Sequence, residues 1–211
     1  MESQPNASGR RENLTAFGSL ALAGLFAGIL MVAFESVLPG PAEDLYAAFF
    51  GLFVVGYFVG FRGLRSPWKA MGFVATSVLA YIVAFWACLT VPVNVKFLSF
   101  MSSGSVFVST AGLFVGGFVG AAILLAGFFF FLSDRKEWRL FVAKALPFSL
   151  IAGLVAVFAW KAGSFLGAHF GRTPASSDWD FDLLHILWQA AVAASFGFFL
   201  PRAYTPSRRV E

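Results

Sequence analysis

The sequence predicts an all-α integral membrane protein, built as a compact bundle of six transmembrane helices. Two observations lead to this class. Hydrophobic residues make up 59% of the 211 residues and charged residues only 12%, with a mean hydropathy of +0.79. A water-soluble domain carries about 25% charged residues, so most of this surface must face hydrocarbon. The apolar residues also form long continuous runs, and a backbone in lipid satisfies its own hydrogen bonds by forming helices.

Six apolar runs are each close to the roughly 20 residues that cross about 30 Å of hydrocarbon. The expected spans are 14–36, 45–61, 68–90, 105–132, 140–160 and 181–200. One transmembrane domain then covers 14–200, between a disordered tail at 1–13 and a second tail at 201–211. The longest connection on the outer side follows the fifth span. Its first half could extend that span outward or lie on the membrane surface.

The basic residues determine the expected orientation. If the N-terminus is cytoplasmic, only Lys96, Lys161 and Arg172 of the 15 lysines and arginines lie outside, and the other twelve lie inside. Positive residues favour the cytoplasmic side, and six spans then place both termini in the cytoplasm. The compact bundle and the short loops favour a bacterial inner (plasma) membrane, with a eukaryotic endomembrane as the alternative. The pI is near 9.5, but the basic residues are spread among loops, so we expect no nucleic-acid partner.

Glycines four residues apart recur in three spans, and such small faces allow helices to approach closely. The glycines expected to serve helix packing are Gly24 and Gly28, Gly56 and Gly60, and Gly112, Gly116 and Gly120. The last set lies on the fourth span, which is therefore expected to be the central helix. Tryptophans near span ends are typical of interfacial anchors. These are Trp68, Trp86, Trp138, Trp160 and Trp179.

A polar stretch opens the sixth span, with the sequence DWDFDLLHILWQ. Asp182, His185 and Gln189 are spaced three and four residues apart, which places them on one face of a helix. Polar groups within a span usually face the bundle interior or a water-filled cavity. The stripe therefore predicts an outward-facing site that binds or transports a small polar solute. The alternative is that Asp182 and His185 lie at the level of the headgroups and are only solvated.

Three further residues are expected to complete the solute site. Glu35, Lys161 and Trp179 all lie at the outer ends of spans. Together with the polar stripe they would supply both charge signs, which suits a zwitterionic or polar solute. Each charge at a helix end could also simply reach out to water.

Cofactor chemistry has little support in the sequence. The chain has two histidines, His169 and His185, which excludes a three-histidine zinc site. We expect no metal and no cofactor. The single Cys88 excludes an intrachain disulfide.

The stretch MSSGSVF, combined with a histidine on the sixth span, resembles rhomboid proteases, which carry a nucleophilic serine and a histidine on the fourth and sixth of six helices. The resemblance implies Ser103 as nucleophile and His185 as base of an intramembrane serine hydrolase. The chain departs from the family pattern. Met101 replaces the first glycine of the serine motif, and Trp188 and Val192 replace the glycines that follow the histidine.

The overall architecture is similar to the substrate-binding components of energy-coupling-factor importers. This resemblance implies an outward-facing cavity and docking on a partner through Ala23 and Ala27 of the first helix. The second functional hypothesis is a non-catalytic subunit or assembly factor of a larger membrane complex, since the sequence holds no complete catalytic set. The expected partners are the lipid bilayer, a small polar solute and, on the second hypothesis, other membrane subunits.

Overall fold

The computed structural model describes residues 7–37, 43–90, 110–133, 138–170 and 179–200, which form helices and short connections without any strand. The helices are α1 (Ala7–Val37), α2 (Glu43–Arg62), α3 (Pro67–Thr90), α4 (Thr110–Gly127), α5 (Trp138–Phe170) and α6 (Trp179–Phe196). A π-helix, Phe128–Leu132, continues α4. The prediction of an all-helical protein is confirmed.

Four helical segments are long and apolar enough to cross a membrane. They are Leu14–Phe34 of α1, Pro67–Thr90, Thr110–Leu132 and Phe141–His169 of α5. Shorter apolar stretches lie in α2, at Ala47–Arg62, and in α6, at Asp182–Phe196. Helices of this length and composition mark the chain as a membrane protein.

The helices differ from the predicted spans mainly at their ends. α1 begins at Ala7 and takes in part of the tail expected to be disordered, where alanine, arginine and glutamate favour a helix. α5 continues to Phe170, ten residues beyond Trp160, so the connection after the fifth span begins as an extension of that helix. Residues 105–109, predicted to open the fourth span, lie outside the described residues.

The helices pack in chain order around a common core, and α6 returns to α1 to close the ring. The α1–α6 contact is the most extensive one, and two glycines explain it. A Cβ added at Gly24 would overlap the carbonyl oxygen of Gln189, and one at Gly28 would lie 2.6 Å from the Cα of Ile186. Only glycine allows the two backbones to come this close.

The segment Thr110–Leu132, which contains α4, is the most buried of the four long apolar segments. Half of the residues in its apolar stretch are buried inside the bundle, against less than a third in each of the other three. An added Cβ would lie 2.7 Å from the Ala84 carbonyl oxygen at Gly116, and 2.9 Å from the Ala84 Cβ at Gly120. Gly112 is buried on the same helix. These glycines place α4 tightly against α3, although a ring of this kind has no central helix.

The glycines of α2 require a correction. Gly56 and Gly60 are exposed, and a Cβ added at either position meets nothing within 4 Å. They pack against no described helix of this chain. Gly51 takes that role instead, because a Cβ there would lie 2.8 Å from the Cα of Val74. Gly56 and Gly60 lie about 140° and 180° around the helix from Gly51, on the opposite face.

An aromatic layer fills the core in the half of the bundle where α2, α4 and α6 end. It consists of five phenylalanines that are each at most 3% exposed: Phe50, Phe58, Phe73, Phe128 and Phe196. The rings of Phe128 and Phe196 stack with centroids 4.7 Å apart, and Phe73 meets Phe196 edge-on at 5.8 Å.

Candidate functional site

A cavity of about 310 Å³ lies between α3, α4, α5 and α6, in the half of the bundle where α3 and α5 end and α4 and α6 begin. We call it the four-helix cavity. Small residues on three of the helices are part of its lining: Ala84 on α3, Gly116 and Gly117 on α4, and Ala156 on α5. The volume is at the lower end of the range of small-molecule sites, about 300–1,000 Å³.

The walls of the four-helix cavity consist mainly of carbon. The larger side chains that line it are Tyr81, Phe85, Leu89, Leu113, Trp160, Leu184 and Trp188. Leu113 and Trp160 are almost fully buried. This lining differs from the polar site that the sequence predicts, and it is complementary to a largely apolar molecule.

Gln189 supplies the most deeply buried polar group of the cavity. Its side chain is only 3% exposed, and Nε2 donates to the sulfur of Met31 on α1 at 3.3 Å. The Oε1 atom is buried and accepts no hydrogen bond from the part of the chain that the structure describes. A buried carbonyl oxygen without a donor costs about 1–3 kcal/mol. Gln189 therefore combines a place in the cavity lining with a buried polar contact to α1.

His185 and Trp188 connect the polar face of α6 to the neighbouring helices. The imidazole ring lies against the ring of Tyr81 on α3, with centroids 5.8 Å apart. The indole Nε1 of Trp188 donates to the Gly117 carbonyl oxygen on α4 at 3.2 Å. Contacts on both sides hold the α6 face in place, so the polar groups are preorganised.

The predicted site residues are divided by the structure. His185 and Gln189 line the same cavity. Asp182 and Lys161 are half-buried but lie outside its lining. Glu35 belongs to α1 and Trp179 begins α6, and the side chains of both lie outside the description.

The family resemblances implied roles for Ser103 and Ala27, and the structure describes only the second of these residues. Ser103, the nucleophile implied by the resemblance to rhomboid proteases, lies outside the described residues, so the hydrolase hypothesis stays a prediction. Ala27 is fully buried inside the bundle. It is therefore not accessible for the partner docking that the other resemblance implies.

Sequence reasoning missed several lining residues, including Tyr81 and Cys88. Trp160 is a correction, because it was expected to be an interfacial anchor but is 8% exposed and lines the cavity. The extension of α5 places Trp160 well inside the helix. Trp68 and Trp86 are exposed near helix ends, as anchors should be. Apolar residues without a motif give no sequence signal of a cavity.

The fold and the site define an all-helical membrane protein with an apolar cavity that is polar along one helix. Comparison of the chain with family models, with curated proteins and with solved structures finds no match.

Proposed function

We propose that this chain is a six-span membrane protein that binds a small molecule in the four-helix cavity. One observation carries the proposal. Gln189 lines a mainly apolar cavity, and its buried Oε1 atom has no donor among the described residues. Pockets for small molecules typically combine apolar walls with a few placed polar groups, and this cavity has that composition.

The lining indicates the chemistry of the ligand. Aromatic and aliphatic walls favour a compact apolar body, and Gln189 Oε1 requires a hydrogen-bond donor. His185 offers a second polar contact one turn away on α6. The proposal thus moves from the polar solute expected from the sequence to a mainly apolar molecule with one or two polar groups.

We further propose that all six helices cross the membrane, with both termini in the cytoplasm of a bacterial inner membrane. The ring-like packing of six helices and the distribution of basic residues support this orientation. The four-helix cavity would then face outward. Transport would require the aromatic layer to open, so binding from the outer side is the function that we propose.

Native mass spectrometry of the full chain, extracted into nanodiscs with its native lipids, tests the proposal. We expect a small bound mass on the wild-type protein and its loss in Gln189→Leu, which keeps the shape but removes the acceptor. Ser77→Ala is the control, because Ser77 is buried outside the cavity and donates to the Ala47 carbonyl oxygen. Equal retention of the bound mass in Gln189→Leu and in wild type would contradict the proposal.

A second candidate, a non-catalytic subunit of a membrane complex, is favoured by the exposed face of α2. Gly56 and Gly60 are four residues apart on the outside of the bundle, a spacing that suits close packing of a second helix. Native electrophoresis of mild detergent extracts tests it. Substitution of both glycines by leucine should release partner subunits, whereas Gly18→Leu, at an equally open position of α1, should not.

A further inference from the structure

A second cavity, of about 420 Å³, lies at the opposite end of the bundle. We call it the basic cleft. Its rim carries three positive side chains, Arg62, Arg65 and Lys69. Its remaining lining comes from α2, the α2–α3 connection, the end of the π-helix with Ser133, and the turn after α6, and includes the apolar side chains Phe58, Leu132 and Phe199. The cleft thus combines a cationic rim with an apolar floor.

The backbone of the α2–α3 connection brings the three cations together. Gly63 adopts the left-handed conformation, with φ at 67°, and turns the chain out of α2 directly after Arg62. The amide of Leu64 then donates to the Phe58 carbonyl oxygen at 3.0 Å. Two helix ends therefore meet within a four-residue connection.

The start of α3 is equally well defined. Pro67 occupies the first helical position, and the Ser66 hydroxyl oxygen accepts the amide of Lys69 at 3.5 Å, as an N-cap residue does. Lys69 consequently lies in the first turn of α3, across the connection from Arg62. Arg65 lies between them in the sequence.

The positive charges of the basic cleft are complementary to an anion. None of the described residues that line it is acidic. Like charges that line one cleft repel each other, and the repulsion grows where water is partly replaced by a membrane. A bound phosphate group would relieve that repulsion.

Exposed aromatic residues place the basic cleft at the membrane surface. Phe61 and Trp68 flank it and are 78% and 77% exposed. Tryptophan at the end of a membrane helix is typical of the headgroup region. The cations then lie at the depth of lipid phosphates, and the apolar floor lies at the depth where acyl chains begin.

We propose that the basic cleft binds the headgroup of an anionic phospholipid. The phosphate would contact Arg62, Arg65 and Lys69, and the first carbons of the lipid would pack on Phe58 and Leu132. A free phosphate ion would use the rim but leave the apolar floor uncovered. This inference concerns a different site from the four-helix cavity and stands independently of the function proposed for it.

Native mass spectrometry of the full chain tests the inference, with phosphatidylglycerol and phosphatidylcholine of identical acyl chains added at equal concentration. We expect several-fold more phosphatidylglycerol than phosphatidylcholine on the wild-type protein. The double variant Arg62→Gln/Arg65→Gln should reduce phosphatidylglycerol binding by about tenfold or more, since the loss of one charge-assisted hydrogen bond to the phosphate alone changes affinity by about tenfold. Arg62→Lys/Arg65→Lys, which keeps the charge, should retain most of the preference.

The matched control removes the same charge at the same end of the bundle. Arg139→Gln/Lys144→Gln changes two basic residues near the start of α5 that are outside the cleft lining, and should reduce binding less than twofold. If Arg62→Gln/Arg65→Gln and Arg139→Gln/Lys144→Gln reduced phosphatidylglycerol binding equally, the effect would belong to the whole charged surface, and the inference would be overturned. Equal binding of the two lipids, or displacement of phosphatidylglycerol by millimolar inorganic phosphate, would overturn it as well. Thermal melting of every variant verifies that the fold is kept.

Discussion

Gly28 of α1 lies directly against Ile186 of α6, so close that a Cβ on the glycine would be 2.6 Å from the Cα of the isoleucine. Ile186 follows His185 and precedes Gln189 by less than one turn, and both of these line the four-helix cavity. The close α1–α6 contact therefore supports the polar face of the cavity from behind. Met31, one turn along α1, completes this support by accepting the amide of Gln189.

Substitution of Gly28 by alanine should destabilise the bundle by about 2–3 kcal/mol, because the new methyl group meets backbone atoms that cannot rotate away. Thermal unfolding in detergent, followed by tryptophan fluorescence, measures the effect. Gly18→Ala on the same helix is the control, since a Cβ there meets nothing within 4 Å. We expect it to be neutral or slightly stabilising. Similar melting temperatures for the two variants would show that the α1–α6 contact is looser than described.

Gln189→Leu should leave stability unchanged or raise it by about 1 kcal/mol in ligand-free protein. The substitution removes a buried oxygen that lacks a donor and gives up only a contact to sulfur. Ser77→Ala should instead lose about 1 kcal/mol, because the single hydroxyl hydrogen is shared between the carbonyl oxygens of Val74 on α3 and Ala47 on α2. If melting shows that Gln189→Leu is as destabilised as Ser77→Ala, the glutamine has a structural role.

The helices were predictable because long apolar runs are a local property of the sequence. The direction in which a helix face points is not local. Gly24 and Gly28 have the same spacing as Gly56 and Gly60, yet the first pair contacts α6 and the second lies on the outer surface. Spacing identifies a face of small residues, but the position of neighbouring helices decides whether that face is buried.

The candidate site was predictable only in part, for a related reason. His185 and Gln189 could be identified because polar residues are rare within spans and usually face the interior. Tyr81, Cys88 and Trp160 come from two other helices and are ordinary residues for a membrane span. Their contribution depends on how α3, α4, α5 and α6 pack against one another, and no single segment of the sequence encodes that arrangement.

The turn at Gly63 provides a test of the α2–α3 connection. Its φ of 67° lies in the left-handed region, which costs a residue with a Cβ about 1–2 kcal/mol. Gly63→Ala should therefore lower the melting temperature although there is ample room for the methyl group. Gly60→Ala, three residues earlier and equally open, should have little effect because its backbone is helical. Equal behaviour of the two variants would mean that Gly63 does not require the left-handed conformation.

Cys88 offers a direct measure of cavity occupancy, because it is the only cysteine of the chain and its side chain lines the four-helix cavity. Alkylation by N-ethylmaleimide, followed by intact mass spectrometry, should be slowed severalfold in protein purified with its native lipids compared with protein stripped by repeated detergent exchange. Gln189→Leu should remove the difference, since it cannot retain the ligand, while Ser77→Ala should preserve it. Equal alkylation rates in native and stripped wild-type protein would indicate that the cavity is unoccupied in the native membrane, contrary to the proposed binding function.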